Sequence, residues 1–327
     1  MKSHVVMSGM RPTGRLHMGN MMGALTNWVK LQDDYDCFFV VVDWHALTTG
    51  YENTQDLKEN IRQMVIDWIS VGLDPEKCNI FVQSHVKQHA ELHLLLSMLT
   101  PLSWLERCPT YKEQLKQLES KEINTYGFLG YPVLMATDIL IYKADKVPVG
   151  KDQEAHIELS REIARRFIYI YKPVFPEPEA LYTEFMVLPG IDGRKMSKSY
   201  DNYIEISASP ETIKQKVRMM ITDPARIRKN DPGHPDVCNV YAFYQVFDEQ
   251  NNTQELKEVC QKGQIGCVEC KKKLASLIIN KMQPIHQKRK ELEQNPLIID
   301  EILNNGAKRA RVVAEKTLKE VREAMKI

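Results

Sequence analysis

The sequence predicts an α/β fold: a doubly wound parallel sheet in residues 1–201, followed by an all-helical region in residues 202–327. Short apolar runs alternate with amphipathic helical patterns in the first part, as in repeated βαβ units. The run at residues 37–42 (CFFVVV) is apolar at every position, which is typical of a strand buried on both faces of a parallel sheet. Beyond residue 205 only helical periodicity remains.

The first apolar run, residues 5–7, predicts a strand, and a glycine-containing loop follows at residues 8–20 (SGMRPTGRLHMGN). A helical pattern begins at Asn20. Glycine lets a backbone approach a ligand closely, and the free N–H groups at a helix start attract an anion. An ordinary strand-to-helix turn has the same layout, so these residues alone leave both interpretations open.

The next elements alternate in the same way. Strands are predicted at 37–42, 79–83 and 146–150, and helices at 56–71, 89–99, 131–142 and 152–167. Asp152 is well placed as the N-cap of the last of these helices. Residues 101–130 predict a helical insertion over the sheet edge. Asp43, Trp44 and His45 directly follow a strand, at the edge where open α/β sheets bind ligands.

Two irregular segments separate the sheet from the helical region. A proline-rich connection spans 173–178, and a loop without periodicity spans 188–202 (LPGIDGRKMSKSYDN). After this loop, helices are predicted at 211–220, 239–247, 253–261, 267–289, 297–304 and 307–325.

Composition argues against several classes of protein. The 327 residues carry a net charge of +1, so no global basic field indicates a nucleic-acid partner. Residues 202–327 hold 22 Lys and Arg against 17 Asp and Glu, which suits an RNA contact but equally suits solvated helix faces. Neither a leader peptide nor an apolar run of membrane-spanning length is recognisable, so we expect a cytoplasmic protein without a membrane partner and without disulfides.

The loop at 194–199 (RKMSKS) carries the second chemical signal. Lys195 and Lys198 are three residues apart, with the small hydroxyl side chain of Ser197 between them, and can bracket a triphosphate. Lysine is a mobile point charge, which is useful where negative charge develops during a reaction. The alternative is a solvated basic loop, although five fixed residues are a fairly specific string.

Two segments resemble the signatures of class I aminoacyl-tRNA synthetases. HMGN at 17–20 resembles the HIGH signature, with Asn20 in place of its final histidine, and KMSKS at 195–199 matches the second signature. Nearly the whole chain further resembles the bacterial-type tryptophanyl-tRNA synthetases. The segments that carry this likeness are SGMRPTG at 8–14, VDWHALT at 42–48, YPVLMATDIL at 131–140 and VPVGKDQEAHIELSREIARRF at 147–167. Arg11 stands where many members of that family have glutamine.

The resemblance implies a Rossmann-like catalytic domain at 1–201 and a helical anticodon-binding domain at 202–327. It implies activation of L-tryptophan with Mg²⁺–ATP and transfer of the tryptophanyl group to the 3′ end of tRNA(Trp). It also implies a homodimer, for which the apolar helices around 89–105 are the candidate interface. A tyrosyl-tRNA synthetase-like enzyme, a small-molecule nucleotidylyltransferase and a noncatalytic paralogue remain alternatives.

The resemblance also implies the nucleotide site. The residues with catalytic roles would be His17, Asn20, Lys112, Lys195 and Lys198. The segment 150–153 resembles the family's GEDQ segment, with lysine at 151 in place of glutamate. The residues that bind ATP would be Ser8, Gly9, Arg11, Thr13, Gly14, His17, Gly19, Asn20, Gly150, Asp152, Lys195, Met196, Ser197, Lys198 and Ser199.

The choice of amino acid depends on Tyr131, Met135 and Asp138, which share one helix face at spacings i, i+4 and i+7. Tyrosyl relatives carry glutamine at the second position, whereas methionine leaves a soft apolar wall for indole. Asp138 can accept the indole N–H, unless it is instead neutralised by Lys143 or Lys146. The tryptophan-binding set implied by the resemblance is Met7, His45, Tyr131, Met135, Asp138, Val147, Val149 and Gln153.

Four of the seven cysteines form a C-x21-C-x6-C-x2-C pattern, namely Cys238, Cys260, Cys267 and Cys270. Such a pattern can ligate zinc or an iron–sulfur cluster, although zinc sites usually show two close pairs. A subset of the tryptophanyl family resembles this run and carries a [4Fe–4S] cluster, so the resemblance favours the cluster over Zn²⁺ or buried free thiols. Cys37, Cys78 and Cys108 are interpreted as isolated structural residues.

Overall fold

The computed structural model describes residues 2–109, 111–112, 115, 125–150, 153–182, 188–248 and 253–327. Asp152 and the charged stretch at 116–121 lie outside these residues. The strands are β1 (Val5–Met10), β2 (Asp36–Val41), β3 (Asn79–Val82), β4 (Lys146–Val149) and β5 (Glu179–Tyr182). The helices with a full description are α1 (Met18–Asn20), α2 (Thr26–Asp34), α3 (Asp43–Gly50), α4 (Leu57–Val71), α5 (Gln88–Ser97), α6 (Leu102–Arg107), α7 (Tyr126–Leu140), α8 (Glu154–Ile170), α9 (Pro210–Met219), α10 (Asn239–Phe247), α11 (Thr253–Gln261), α12 (Cys267–Gln294) and α13 (Pro296–Met325).

The five strands form one parallel sheet in the order β3-β2-β1-β4-β5. The chain builds outward from β1 through β2 to β3, and then returns to the other side of β1 to form β4. This reversal is a topological switch point, where a crevice opens beyond the carboxyl ends of the two central strands. The predicted parallel sheet is therefore confirmed, and its switch point locates the crevice between β1 and β4.

Both faces of the sheet are covered by helices. Phe39 and Val41 of β2 belong to one apolar core, and Phe38 and Val40, which alternate with them, belong to the other. Residues of α2, α4, α9, α10 and α12 complete the first core, and residues of α5, α7, α8 and α13 complete the second. This double burial confirms the interpretation of residues 37–42 as an internal strand.

The helix after the first loop begins two residues earlier than predicted. His17, in extended conformation, caps α1, and its imidazole accepts a hydrogen bond from the backbone N–H of Asn20. A π-helical stretch, Met21–Leu25, separates α1 from α2. Such single-turn π segments frequently accompany functional sites, because they change the direction in which side chains project.

Several predicted boundaries were wrong. Helix α3 and strand β5 were not predicted, α7 begins at Tyr126 because Thr125 caps it, and Gln153 occupies the N-cap position of α8 instead of Asp152. The predicted break at 305–306 is absent, since α13 runs through Gly306. A Cβ on Gly306 would lie 1.9 Å from the carbonyl oxygen of Ile80, so glycine lets this helix lie directly on β3.

No helix within the described ranges combines the length and apolarity that a membrane crossing needs.

Candidate active site

Two cavities open at the carboxyl edge of the sheet, beside the switch point. The first has a volume of about 380 Å³, and the second has a volume of about 520 Å³. Met10 and Arg11, at the end of β1, line both. The two cavities are therefore neighbours across one short stretch of backbone.

The first cavity gathers the whole predicted tryptophan-binding set. It is lined by Met7, His45, Tyr131, Met135, Asp138, Val147, Val149 and Gln153. Three residues predicted to bind ATP, Ser8, Gly9 and Gly150, also line this first cavity and not the second. Sequence reasoning missed other lining residues, among them Val42, Thr48, Ile139 and His156.

His156 extends the polar end of the first cavity. Its Nε2 atom lies 3.5 Å from the hydroxyl of Tyr131, and its Nδ1 atom lies 3.7 Å from Sγ of Cys108. Cys108 therefore contacts a cavity residue and is not isolated as predicted. The spacing from Gln153 to His156 is i, i+3, which places both on one helix face and is the signal that could have found His156.

Asp138 is almost fully buried, and its carboxylate accepts hydrogen bonds from His45 at 3.0 Å, Gln83 at 2.8 and 2.9 Å, and His89 at 2.6 Å. Burial acts to raise the pKa of Asp138, but the hydrogen bonds from His45 and His89 outweigh it and lower the pKa to about 2. The carboxylate is therefore ionised at neutral pH.

The lysine alternative for Asp138 is wrong. Lys143 instead pairs with Glu320 at 2.6 Å, and Lys146 pairs with Glu179. The carboxylate is held instead by His45, Gln83 and His89, and of these three side chains only His45 lines the cavity.

The second cavity brings the two signature segments together. It is lined by Met10, Arg11, Thr13, Leu16, His17, Asn20, Lys195, Met196, Ser197, Lys198, Ser199 and Tyr200. Lys198 Nζ donates to the carbonyl of Thr13 at 3.3 Å, and the backbone N–H of Gly19 points at Sδ of Met196 at 3.3 Å. Segments separated by about 180 residues thus form one cleft.

Asn202 holds the backbone of the lysine loop, residues 194–199, through hydrogen bonds. Its amide donates to Asp192 at 2.7 Å and to the carbonyl of Lys195 at 3.1 Å, and its oxygen accepts the backbone N–H of Ser197 at 2.8 Å. Sequence reasoning did not single out Asn202. Its three bonds fix the loop backbone while the side chain of Lys195 stays exposed.

The second cavity is adapted to an anion. Burial, and then the charge of Lys198, lower the pKa of His17 to about 4, and burial also lowers the pKa of Lys198. Burial likewise lowers the pKa of Arg11. Desolvated basic groups that face one cleft gain most when a negative ligand enters.

Not every predicted nucleotide residue lines this cleft. Gly14, at φ +114°, approaches Lys198 so closely that a Cβ would lie 3.3 Å from its Nζ, and Gly19 packs against Met196. Lys112 is exposed and lines neither cavity. Asp152 lies outside the described residues.

The four patterned cysteines converge in the helical region. Cys270 interacts electrostatically with the other three thiols, and Cys260 interacts with Cys238 and Cys267. Nη1 of Arg226 lies 3.7 Å from Sγ of Cys260 and 3.9 Å from Sγ of Cys267. Burial raises the pKa of Cys270 to about 12. Within the described ranges, however, no group of three or more His, Cys, Asp or Glu side chains has the arrangement of a metal site.

The sequence matches the family model described as tRNA synthetases class I (W and Y) over residues 1–283. It is 52% identical to the tryptophan–tRNA ligase of Thermotoga maritima, over 98% of this chain and 99% of that protein. It is 44% identical to the tryptophan–tRNA ligase of Aquifex aeolicus, with 98% and 99% covered.

The fold matches a crystal structure of the tryptophanyl-tRNA synthetase from Campylobacter jejuni complexed with ADP and tryptophan. The TM-score is 0.91 at 34% identity, with 99% of this chain and 100% of that chain covered. A tyrosyl-tRNA synthetase from Archaeoglobus fulgidus gives a TM-score of 0.67 at 20% identity, over 88% and 90% of the two chains, and shares the fold.

Proposed function

The chain belongs to the class I tryptophanyl-tRNA synthetases, the ligases that join tryptophan to tRNA, and we propose how its residues divide that work. The carboxylate of tryptophan attacks the α-phosphate of ATP and releases pyrophosphate, and the tryptophanyl group then passes to the 3′ end of tRNA(Trp). One observation carries this assignment: Met10 and Arg11 line both cavities, so a carboxylate in the first and a phosphate in the second can meet there.

The first cavity binds tryptophan in this proposal. Asp138 accepts the indole N–H, while Tyr131 and Gln153 meet the polar end of the amino acid. A ring that carries no donor is disfavoured, because it supplies no hydrogen bond to the ionised carboxylate. The wall of the indole pocket is supplied by Met7, His45, Met135, Val147 and Val149.

The second cavity binds ATP in this proposal. His17, Asn20 and the start of α1 hold the nucleotide, while Lys195 and Lys198 stabilise the leaving pyrophosphate. No carboxylate lines this cleft among the described residues, so Mg²⁺ would be held by the phosphates of ATP. The chemistry needs no protein nucleophile, because the substrate carboxylate already is one.

Amino-acid-dependent exchange of pyrophosphate into ATP tests this function. We expect exchange with tryptophan and little with tyrosine or phenylalanine, and we expect Asp138→Asn to remove most of that preference. Exchange supported by tyrosine alone would contradict the tryptophan pocket, and no exchange with any amino acid would contradict the catalytic assignment.

We further propose that the four converging thiols bind a [4Fe–4S] cluster. Their mutual proximity and the neighbouring Arg226 support this, since a cluster held by four thiolates is negatively charged. The thiols gather without reaching ligand geometry in the described residues.

Metal analysis of anaerobically prepared protein tests the cluster. We expect about four irons and about four sulfides per chain, lost in Cys270→Ser and retained in Cys37→Ser, whose thiol is buried in the sheet. Zinc at one ion per chain would assign the site to Zn²⁺ instead, and the absence of both metals would leave free thiols.

A homodimer is also proposed. Leu94, Met98 and Leu102, on and between α5 and α6, are 54%, 69% and 62% exposed and form an apolar surface in the segment that the sequence singled out. We expect twice the chain mass in sedimentation equilibrium, and the chain mass for Met98→Glu. Val312→Glu, at a site 73% exposed elsewhere, is the matched control. A monomeric native chain would contradict the dimer.

The helical part, residues 202–327, is proposed to bind the anticodon end of tRNA. Lys271, Lys272 and Lys273 lie in the first turns of α12, next to the four thiols. We propose a cytoplasmic enzyme, because ATP and tRNA are cytoplasmic substrates.

A further inference from the structure

Asp138 accepts hydrogen bonds from three protein side chains before any ligand binds. An ionised carboxylate offers about four acceptor positions on its two oxygens. Oδ1 accepts from Gln83 at 2.8 Å and from His89 at 2.6 Å, and Oδ2 accepts from Gln83 at 2.9 Å and from His45 at 3.0 Å. Gln83 shares its amide nitrogen between both oxygens, so three protein donors engage the carboxylate in four contacts, and an indole N–H that enters from the cavity competes with them for Asp138.

The three donors occupy different places. Gln83 and His89 are completely buried, and they do not line the cavity. His45 does line the cavity, and its side chain is 10% exposed. Of these donors, His45 is therefore the one that an entering ring can replace.

His89 is held firmly by a second contact. Its Nε2 atom lies 2.6 Å from the hydroxyl of Tyr142. Since a carboxylate cannot donate, Nδ1 of His89 carries the proton toward Asp138, and Nε2 forms its hydrogen bond with the Tyr142 hydroxyl. The ring of Tyr142 stacks on Phe38 at 4.4 Å and meets the edge of Phe81 at 5.6 Å, which ties this chain of bonds to β2 and β3.

Gln83 supports the carboxylate at a cost. Its Nε2 atom donates to both oxygens of Asp138, while its buried Oε1 atom has no hydrogen-bond partner among the described residues. An unpaired buried acceptor is unfavourable, and such local costs persist mainly where function requires the geometry.

We propose that Tyr142, His89 and Gln83 are positioning residues that hold Asp138 with one acceptor position toward the cavity, and that His45 covers this position until the indole N–H takes it. The proposal rests on the function proposed above for Asp138. It deepens that function, because it makes recognition of tryptophan an exchange of one donor for another. A ring without a donor would displace His45 and return no hydrogen bond.

Tyr142→Phe tests the proposal, because it removes one hydroxyl and keeps the packed ring. Pyrophosphate exchange is measured with tryptophan and with the analogue in which sulfur replaces the indole N–H. We expect the KM for tryptophan to rise about fivefold, the size of one lost hydrogen bond, with kcat and the analogue's KM little changed. Equal changes for both substrates, or none, would overturn the proposal, because a merely structural residue does not distinguish them.

Variants of His89 give a second measurement. His89→Asn keeps an amide N–H where Nδ1 stands, so we expect it to retain the preference for tryptophan over the sulfur analogue. His89→Leu removes the donor and should lose that preference. Tyr244→Phe is the matched control, since its buried hydroxyl donates to the carbonyl of Cys270 at 3.0 Å in the helical region, and it should leave both KM values unchanged.

Asp138→Asn distinguishes a failure of the positioning role from a failure of the function proposed for Asp138 itself. If Asp138→Asn keeps the full preference for tryptophan over the sulfur analogue, the proposed role of Asp138 itself fails. If Asp138→Asn loses the preference while Tyr142→Phe and His89→Leu retain it, only the positioning role fails.

Discussion

Single side chains in the lysine loop have different surroundings although they share one motif. Lys198 is half-buried and donates to Thr13, whereas Lys195 is exposed above a backbone that Asn202 fixes. Burial lowers the pKa of Lys198. The exposed lysine can follow a moving phosphate, and the buried one is already directed at the cleft.

Lys195→Ala should lower the single-turnover rate of tryptophan activation by about 100-fold, because a donor aimed at developing charge is lost. The Kd for tryptophan should change little, since the tryptophan-binding residues line the other cavity. Lys214→Ala, at an exposed lysine of α9, is the control. An unchanged rate for Lys195→Ala would contradict its role.

His17 should make stability fall with acidity. Its pKa is lowered to about 4, so below about pH 6.5 the unfolded chain takes up a proton before the folded chain does. Between about pH 7.5 and about pH 5, the free energy of unfolding should fall by about 1 kcal/mol more than in His17→Asn, after a discount for partial exposure. Asparagine keeps the N-cap, so urea unfolding of both proteins isolates the imidazole. Parallel pH profiles would contradict the assignment.

At the scale of elements, sequence periodicity predicts those strands and helices that form because their own apolar residues are buried. Strand β2 was predictable because both of its faces are covered, but β5 is a short edge strand whose residues are only partly buried. Helix α13 was predicted as two helices, because glycine generally disfavours the interior of a helix. At position 306 glycine is needed for the close contact with β3, which the sequence does not show. The residues of the site also differ in how well the sequence predicts them. Family motifs predicted the cavity walls, whereas Gln83 and His89 come from other elements that only tertiary packing brings to Asp138.

Gly306→Ala should destabilise the protein by about 3 kcal/mol, because the new Cβ would overlap the Ile80 carbonyl and push α13 off β3. Gly127→Ala, in α7, is the matched control, since the nearest atom to its Cβ would be 4.0 Å away. That variant should be neutral or more stable by up to about 1 kcal/mol. Equal midpoints in urea for both variants would contradict the close contact.

At the scale of the molecule, helices α12 and α13 of the helical region pack against the elements of the sheet domain. Arg289 of α12 pairs with the buried Asp67 of α4, and its guanidinium also donates to Gln63 at 2.7 Å. Helix α13 then covers β3 and α5, where Ala307, Ala310 and other side chains are completely buried. The last helix of the helical region therefore completes the core of the sheet domain.

A chain ending at residue 295 should lose tryptophan activation, because it exposes the core that α13 covers. We expect aggregation or a broad, weakly cooperative unfolding transition, together with loss of pyrophosphate exchange. A chain ending at residue 325 is the control, since Ile327 is 71% exposed. Full exchange by the shorter chain would show that α13 is dispensable to the catalytic core.

The hydrogen bonds of Asp138 also bear on how the chain folds. Its donors come from α3, from the turn after β3 and from α5, so none is local to α7. If the carboxylate is buried before these donors are in place, its desolvation costs several kcal/mol, because no hydrogen bonds replace those it made with water. We therefore expect α7 to dock late, after the sheet has formed, and the amino-acid pocket to close last. Until then the apolar face of α7 is exposed, so we expect the chain to be most prone to aggregation at this stage.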